Sequence, residues 1–269
     1  MFKDVTFGQY YPSDSVVHRM DPRFKLVIAF AFIIVLFMIN SFAGYITAGL
    51  FVFVCVAAAK VPVKLLFKNI KPLWFILLFM FVINVFFTRS GNVLFSFWIL
   101  KITDEGLIKA VLMLIRIVML IFFTGLLTLT TTPISLTVGI ESLLSPLKKI
   151  RFPAHELAMM MTIALRFIPT LMEETDKIMK AQMARGASFD TGNLYQKAKS
   201  MIPLLIPLFV SAFRRADELA LAMTARCYNG GEGRTRMNPL KVSGVDYAGA
   251  VMTVLFIAAM IMFNYVHVI

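Results

Sequence analysis

Cysteine, histidine, tryptophan and acidic residues are all scarce in this sequence, and each shortage narrows what the chain can be. The two cysteines, Cys55 and Cys227, are too few for a disulfide framework and too far apart for a CxxC site. The three histidines, His18, His155 and His267, are equally scattered, so ordinary structural roles are expected for them and a shared metal is not. No Gly-x-x-x-x-Gly-Lys-Ser/Thr phosphate loop occurs, so any nucleotide energy must come from another chain. Gly-x-Ser-x-Gly and His-Glu-x-x-His are missing too, and the adjacent acidic residues Glu173 with Glu174 and Asp217 with Glu218 read as solvated or salt-bridged. This is not the profile of an enzyme, and no cofactor is expected on the chain itself. Charged residues make up only 16% of the 269 residues against 59% hydrophobic ones, so the apolar surface cannot be hidden inside one soluble domain. Lipid must be the solvent for much of it.

The apolar residues fall in long runs. Leu26 to Ala59 carries no charge over 34 residues, more than one helical crossing of a hydrocarbon core about 30 Å thick requires. Two spans joined by a turn at Asn40, Ser41 and Gly44 are expected, because these residues tolerate irregular backbone. Further runs at Pro72 to Thr88, Ala110 to Leu129 and Tyr247 to Val266 bring the expectation to about five transmembrane helices in an all-α polytopic membrane protein. The first run follows some twenty mixed residues and lacks a small-residue cleavage pattern, so it reads as a retained span rather than a signal peptide.

The net charge of +12 is informative by position. Lys60, Lys64, Lys68 and Lys71 fill one connection without an acidic residue, whereas Arg89, Lys101, Asp104 and Glu105 cancel in the next. Since lysine and arginine accumulate on cytoplasmic loops, the first connection is placed inside and the second outside. The N-terminus and everything from about Thr131 to Asp246 then become cytoplasmic, and no nucleic-acid partner is implied. Three regions are expected: a four-span membrane domain over 1–130, a cytoplasmic coupling domain over 131–246, and a final transmembrane helix over 247–269. The middle region holds 15 of the 27 basic and 10 of the 15 acidic residues, yet is studded with apolar runs. Ala154 to Met183 and Met201 onward read as long helices passing from buried to half-exposed settings, with Pro203 and Pro207 breaking the second one early.

Both long helices end alike. Ala184-Arg185-Gly186 closes the first and Ala225-Arg226-Cys227 the second. Gly186 suits a left-handed terminator, and Asn229, Gly230 and Gly231 serve as breakers after the second. An arginine in a last turn offsets the helix dipole in any protein. Two matched copies, each preceded by alanine, also suit a docking role: the small residue admits a partner surface, and the planar guanidinium donates bidentately at modest desolvation cost. Lys109 and Arg116 stand in or beside the fourth span, where charge is costly; Lys109 is near enough to its end to snorkel, and Arg116 faces either another subunit or a polar interior. Six methionines between Met159 and Met183 read as core packing, with an adaptable docking surface as the alternative.

At these arginines the sequence resembles the T components of energy-coupling factor transporters, in which two short arginine motifs end the cytoplasmic coupling helices. His18-Arg19-Met20-Asp21-Pro22-Arg23-Phe24-Lys25 looks like that family's lead into the first span. Pro146-Leu147-Lys148 and Leu165-Arg166-Phe167-Ile168-Pro169 look like its first coupling region. Cys227 stands where a small glycine-like residue is expected. The resemblance implies a scaffold without bound cofactor in the cell membrane. It would dock two homologous ATPase subunits, which carry ATP and Mg, through Arg185 and Arg226, and a small membrane subunit that binds a vitamin or metal. The competing reading is an ion-coupled secondary transporter, whose spans would contain more buried ionisable groups.

Overall fold

The structure, a computed structural model, describes residues 10–39, 41–88, 92–97, 100–150, 152–187, 189, 193–230 and 240–266. By contacts the chain forms two compact units, one comprising Gly8–Gly139 with Leu240–Ile269 and the other centred on Ile140–Pro239.

In the first unit a single turn, α1 (Val16–Arg19), precedes α2 (Pro22–Met38). The start of α2 is dictated locally: Asp21 caps it by accepting from the Arg23 N–H at 2.9 Å, and Pro22 occupies the first helical position, where a missing N–H costs nothing. Ser41 caps α3 (Phe42–Ala59) through the Gly44 N–H, so the hairpin turn falls where expected; Asn40 itself lies outside the described residues. Lys60 ends α3 in the left-handed region at φ 52°. α4 (Val63–Ile70), a 3₁₀ turn (Lys71–Leu73) and α5 (Trp74–Phe87) follow as one apolar run. A short antiparallel hairpin, β1 (Val93–Phe97) with β2 (Leu100–Thr103), links it to α6 (Asp104–Thr130). Thr103 caps α6, and Asp104 and Glu105 sit in its first turn, where the helix dipole favours negative charge. α7 (Pro133–Leu144) leads out of this unit, and α11 (Gly244–Val266) belongs to it again.

Four stretches among the described residues are long and apolar enough to cross a membrane: Phe42–Ala59, Val63–Phe87, Asp104–Thr130 and Gly244–Asn264. α2, at 17 residues with Arg23 and Lys25 near its start, is not among these four and reaches only the lower end of spanning length. The core that holds them is aromatic. Phe32, Phe51, Phe123 and Phe256, one from each of α2, α3, α6 and α11, stack with centroids 4.3 Å apart for Phe32–Phe123 and 4.1 Å for Phe51–Phe256. Outward-facing Phe53, Phe75 and Phe87 are 70% or more exposed, which suits a lipid boundary where apolar side chains need no protein cover.

The second unit is built on α8 (Ala154–Ala184) and α10 (Ile202–Ala225), with short α9 (Leu194–Ser200) between them. Pro203 and Pro207 do not break α10 as expected. Pro203 sits in the first turn, whose N–H groups have no helical partner, and Pro207 lies within a continuous helix.

Candidate functional site

The two arginine motifs terminate their helices by the same hydrogen-bond pattern. After α8, the Gly186 N–H donates to Met183 O and the Ala187 N–H to Gln182 O, both at 3.0 Å. After α10, the Cys227 N–H donates to Thr224 O at 2.9 Å and the Tyr228 N–H to Met223 O at 3.0 Å. These are matching Schellman caps, with Arg185 and Arg226 each in the cap position and the following residue left-handed, Gly186 at φ 89° and Cys227 at φ 56°. The departure at Cys227 is therefore one of residue type and not of geometry. It carries a side chain in a conformation that disfavours one by about 1–2 kcal/mol. Asn229 and Gly230 come after the stop has been made; Gly231 lies outside the described residues.

α8 and α10 pass antiparallel. Ile163, Phe167 and Leu171 of α8 line one cavity with Ala212, Ala216 and Leu219 of α10, while Met159 and Ile163 line another with Met223 and Arg226. Arg226 thus lies beside the beginning of α8. Arg185 ends that helix 26 residues farther on, roughly 39 Å of rise. Ala184, Arg185, Gly186, Ala225, Arg226 and Cys227 are all exposed. Among the described residues neither guanidinium has an acceptor. The structure therefore does not bring the two motifs together; it sets them at opposite ends of one helix pair.

A polar staple joins that pair midway. Glu174 of α8 accepts from the Ser211 hydroxyl and from Arg215 Nη2, the latter at 2.8 Å, both on α10. The Ser211 hydrogen bond and the Arg215 guanidinium hold the Glu174 carboxyl below the usual carboxylate range. Glu174 is thus salt-bridged, as expected. Of the six methionines of α8, Met160, Met161 and Met183 are 54%, 46% and 48% exposed, so core packing accounts for only part of that set.

The other singled-out charges have partners within the fold, while Arg116 Nε and His155 Nε2 are buried without one among the described residues. Arg116 Nη2 donates to Ile39 O at 2.7 Å, and its guanidinium lies over the rings of Phe37 and Tyr45, so it caps the end of α2. Lys109 pairs with Glu105 one turn away at 3.3 Å. His18 bonds Ser15 and Tyr11 O, and His155 bonds Glu141; His267 lies outside the described residues. No cluster of metal-ligating side chains occurs among the described residues.

Sequence reasoning missed a buried polar node in the first unit. The Asp246 carboxylate accepts from the Ser243 N–H that begins α11 and from the Asp21 N–H that begins α2, both at 2.6 Å. Lys25 Nζ donates to Thr130 O at 2.9 Å and Thr131 Oγ1 at 3.3 Å, capping the end of α6, with Asp21 and Asp246 in electrostatic reach. Two carboxylates thus meet helix starts and one ammonium meets a helix end, each matched to its dipole. The node ties the segment leaving this unit to the segment returning to it. A partial local signal was available, since Ser243 followed by Asp246 is a capping-box spacing.

Helix lengths and a lipid-suited surface define a multi-pass α-helical membrane protein. Residues 13–237 match the family described as Cobalt transport protein. Relatives called Energy-coupling factor transporter transmembrane protein EcfT include one from Clostridium kluyveri, 53% identical over 97% of both chains. Another from Bacillus subtilis is 48% identical over 98% of this chain and 99% of its own, and one from Lactococcus lactis is 47% identical over 91% and 92%. The chain belongs to this family of transporter transmembrane components.

Proposed function

We propose that this chain is the scaffold and energy-coupling subunit of an ATP-driven importer of vitamins or other micronutrients. Two homologous ATPase subunits dock on it, one at Ala184-Arg185-Gly186 and one at Ala225-Arg226-Cys227, and a separate small membrane subunit binds the substrate. The chain itself carries out no hydrolysis and holds no cofactor; ATP and Mg belong to the ATPases. Its N-terminus and residues 131–246 lie in the cytoplasm, between a membrane domain of residues 1–130 and a last span at 247–269. The observation that carries this reading is the pair of matching caps, each presenting an unpaired, exposed arginine behind an alanine, at opposite ends of one stapled helix pair. Such a pair is a lever: closure of a motor dimer displaces both ends, and the stapled antiparallel contact carries that displacement as a movement of the pair. Arginine suits the grip because its fork engages carboxylates or carbonyls with directional bonds that a lysine point charge lacks.

The test is copurification. Arg185→Glu with Arg226→Glu is expected to abolish recovery of both ATPases and ATP-dependent uptake while the chain still inserts. Full ATPase recovery with the double variant refutes the docking assignment.

A further inference from the structure

We propose that the groove between α3, α4 and α6 binds an anionic phospholipid, with Lys60 holding its headgroup phosphate and an acyl chain lying along the groove. The cavity, about 570 Å³, is lined by Gly49, Val56 and Ala57 of α3, Leu66 of α4, and Ile115 and Met119 of α6. Its lining is apolar except at one place, where Lys60 joins it. Lys60 is held there by backbone geometry, since its left-handed conformation stops α3 and turns the chain toward α4.

α4 continues the pattern as an amphipathic helix. Leu66 is fully buried, while Lys64 and Lys68 share the opposite face and Lys71 follows on the same line at helical spacing. All four lysines are exposed, and none has a carboxylate partner among the described residues. Nor is an acidic partner near in sequence: from Pro22 to Thr103 there is no aspartate or glutamate. A lysine bias that only sets orientation needs neither a groove nor an uninterrupted stripe. A basic, acid-free face with an apolar trough opening at its first lysine has instead the two parts of a phospholipid in register, an anionic head beside a hydrocarbon tail. Charge complementarity therefore selects an anionic lipid over a zwitterionic one.

The experiment uses the full purified chain, extracted from vesicles of equal parts phosphatidylglycerol and phosphatidylcholine, with retained lipid read by native mass spectrometry. One lysine at the headgroup predicts about a fivefold preference for phosphatidylglycerol. Lys60→Gln is expected to bring the ratio to about one, and Lys60→Arg to preserve it. Ala57→Phe, which fills the trough from an exposed position, lowers retention of both lipids. An even ratio for the unaltered chain, or an unchanged ratio in the glutamine variant, overturns the proposal. So does a photoreactive residue at position 57 that cross-links to another protein subunit and not to lipid. None of these readouts depends on ATPase recovery, so this proposal can fail while the arginine docking stands, and the reverse.

Discussion

If α8 and α10 act as one lever, their crossing must be stiff, and Glu174 is the side chain on which that stiffness is predicted to depend. It accepts from Ser211 and Arg215 at once, and its side chain is 23% exposed against 36% for Arg215. An exposed ion pair contributes 1 kcal/mol at most, and a hydrogen bond to a charged group about 1.5–3 kcal/mol. Half-exposed partners regain water when the pair breaks, so Glu174→Ala is expected to weaken the crossing by about 1–2 kcal/mol, a factor of roughly 5–30 in the splayed population. Spin labels on Cys227 and on Lys180→Cys, with Cys55→Ser, would report this as a distance distribution. Unaltered chain should give a narrow distribution at ~30 Å, from the helix rise between Met159, beside α10's end, and position 180. Glu174→Ala should broaden it. Because the folded-state pKa of Glu174 is depressed, the staple is at full strength above the unfolded glutamate value of about 4.3 and is lost as pH falls through the lower folded value. Acidification should therefore broaden the unaltered chain's distribution and leave Glu174→Ala unmoved. Superimposable distributions for the two proteins at neutral pH, or effects of Glu174→Ala and Arg215→Met that simply add, would refute the staple.

Other perturbations separate backbone from side-chain effects. Gly186→Ala adds a Cβ that meets nothing within 4 Å, so its cost is conformational alone, about 1–2 kcal/mol in thermal unfolding of the detergent-solubilised chain. Cys227→Gly should act in the opposite sense and raise the melting temperature, with about 1 kcal/mol gained. Lys25→Met should destabilise by about 1–3 kcal/mol, because it leaves the buried Thr130 carbonyl at the end of α6 without its charged donor and removes a cation from the surroundings of Asp21 and Asp246. Asp246→Asn should be milder, since an amide oxygen still accepts one of the two backbone N–H groups; equal losses for the two variants in the same unfolding assay would contradict the node.

Much of this protein follows from local chemistry. Hydrocarbon cannot satisfy backbone polar groups, so long uncharged runs have to become helices, and the spans are legible from composition without any knowledge of their neighbours. Ser41 and Gly186 are legible for a similar reason: a hydroxyl that caps and a glycine that turns left-handed act on bonds within four residues of themselves. Cys227 was readable as a helix end but not as the left-handed residue, because the cap is made by its backbone N–H and not by its side chain. Asp21 and Asp246 meet across 225 positions, and Lys25 reaches Thr130 across 105; no periodicity encodes such a meeting, which exists only once α2, α6 and α11 have packed around their stacked phenylalanines. Arg116 became a cap for α2 in the same way, through a contact that spans 77 residues. Sequence decided where the long apolar helices run and how α8 stops, since those are short-range hydrogen-bonding questions, but not that α10 continues through Pro207. Packing decided which charges are satisfied within the fold and which, like Arg185 and Arg226, are left free, since that depends on who the neighbours are.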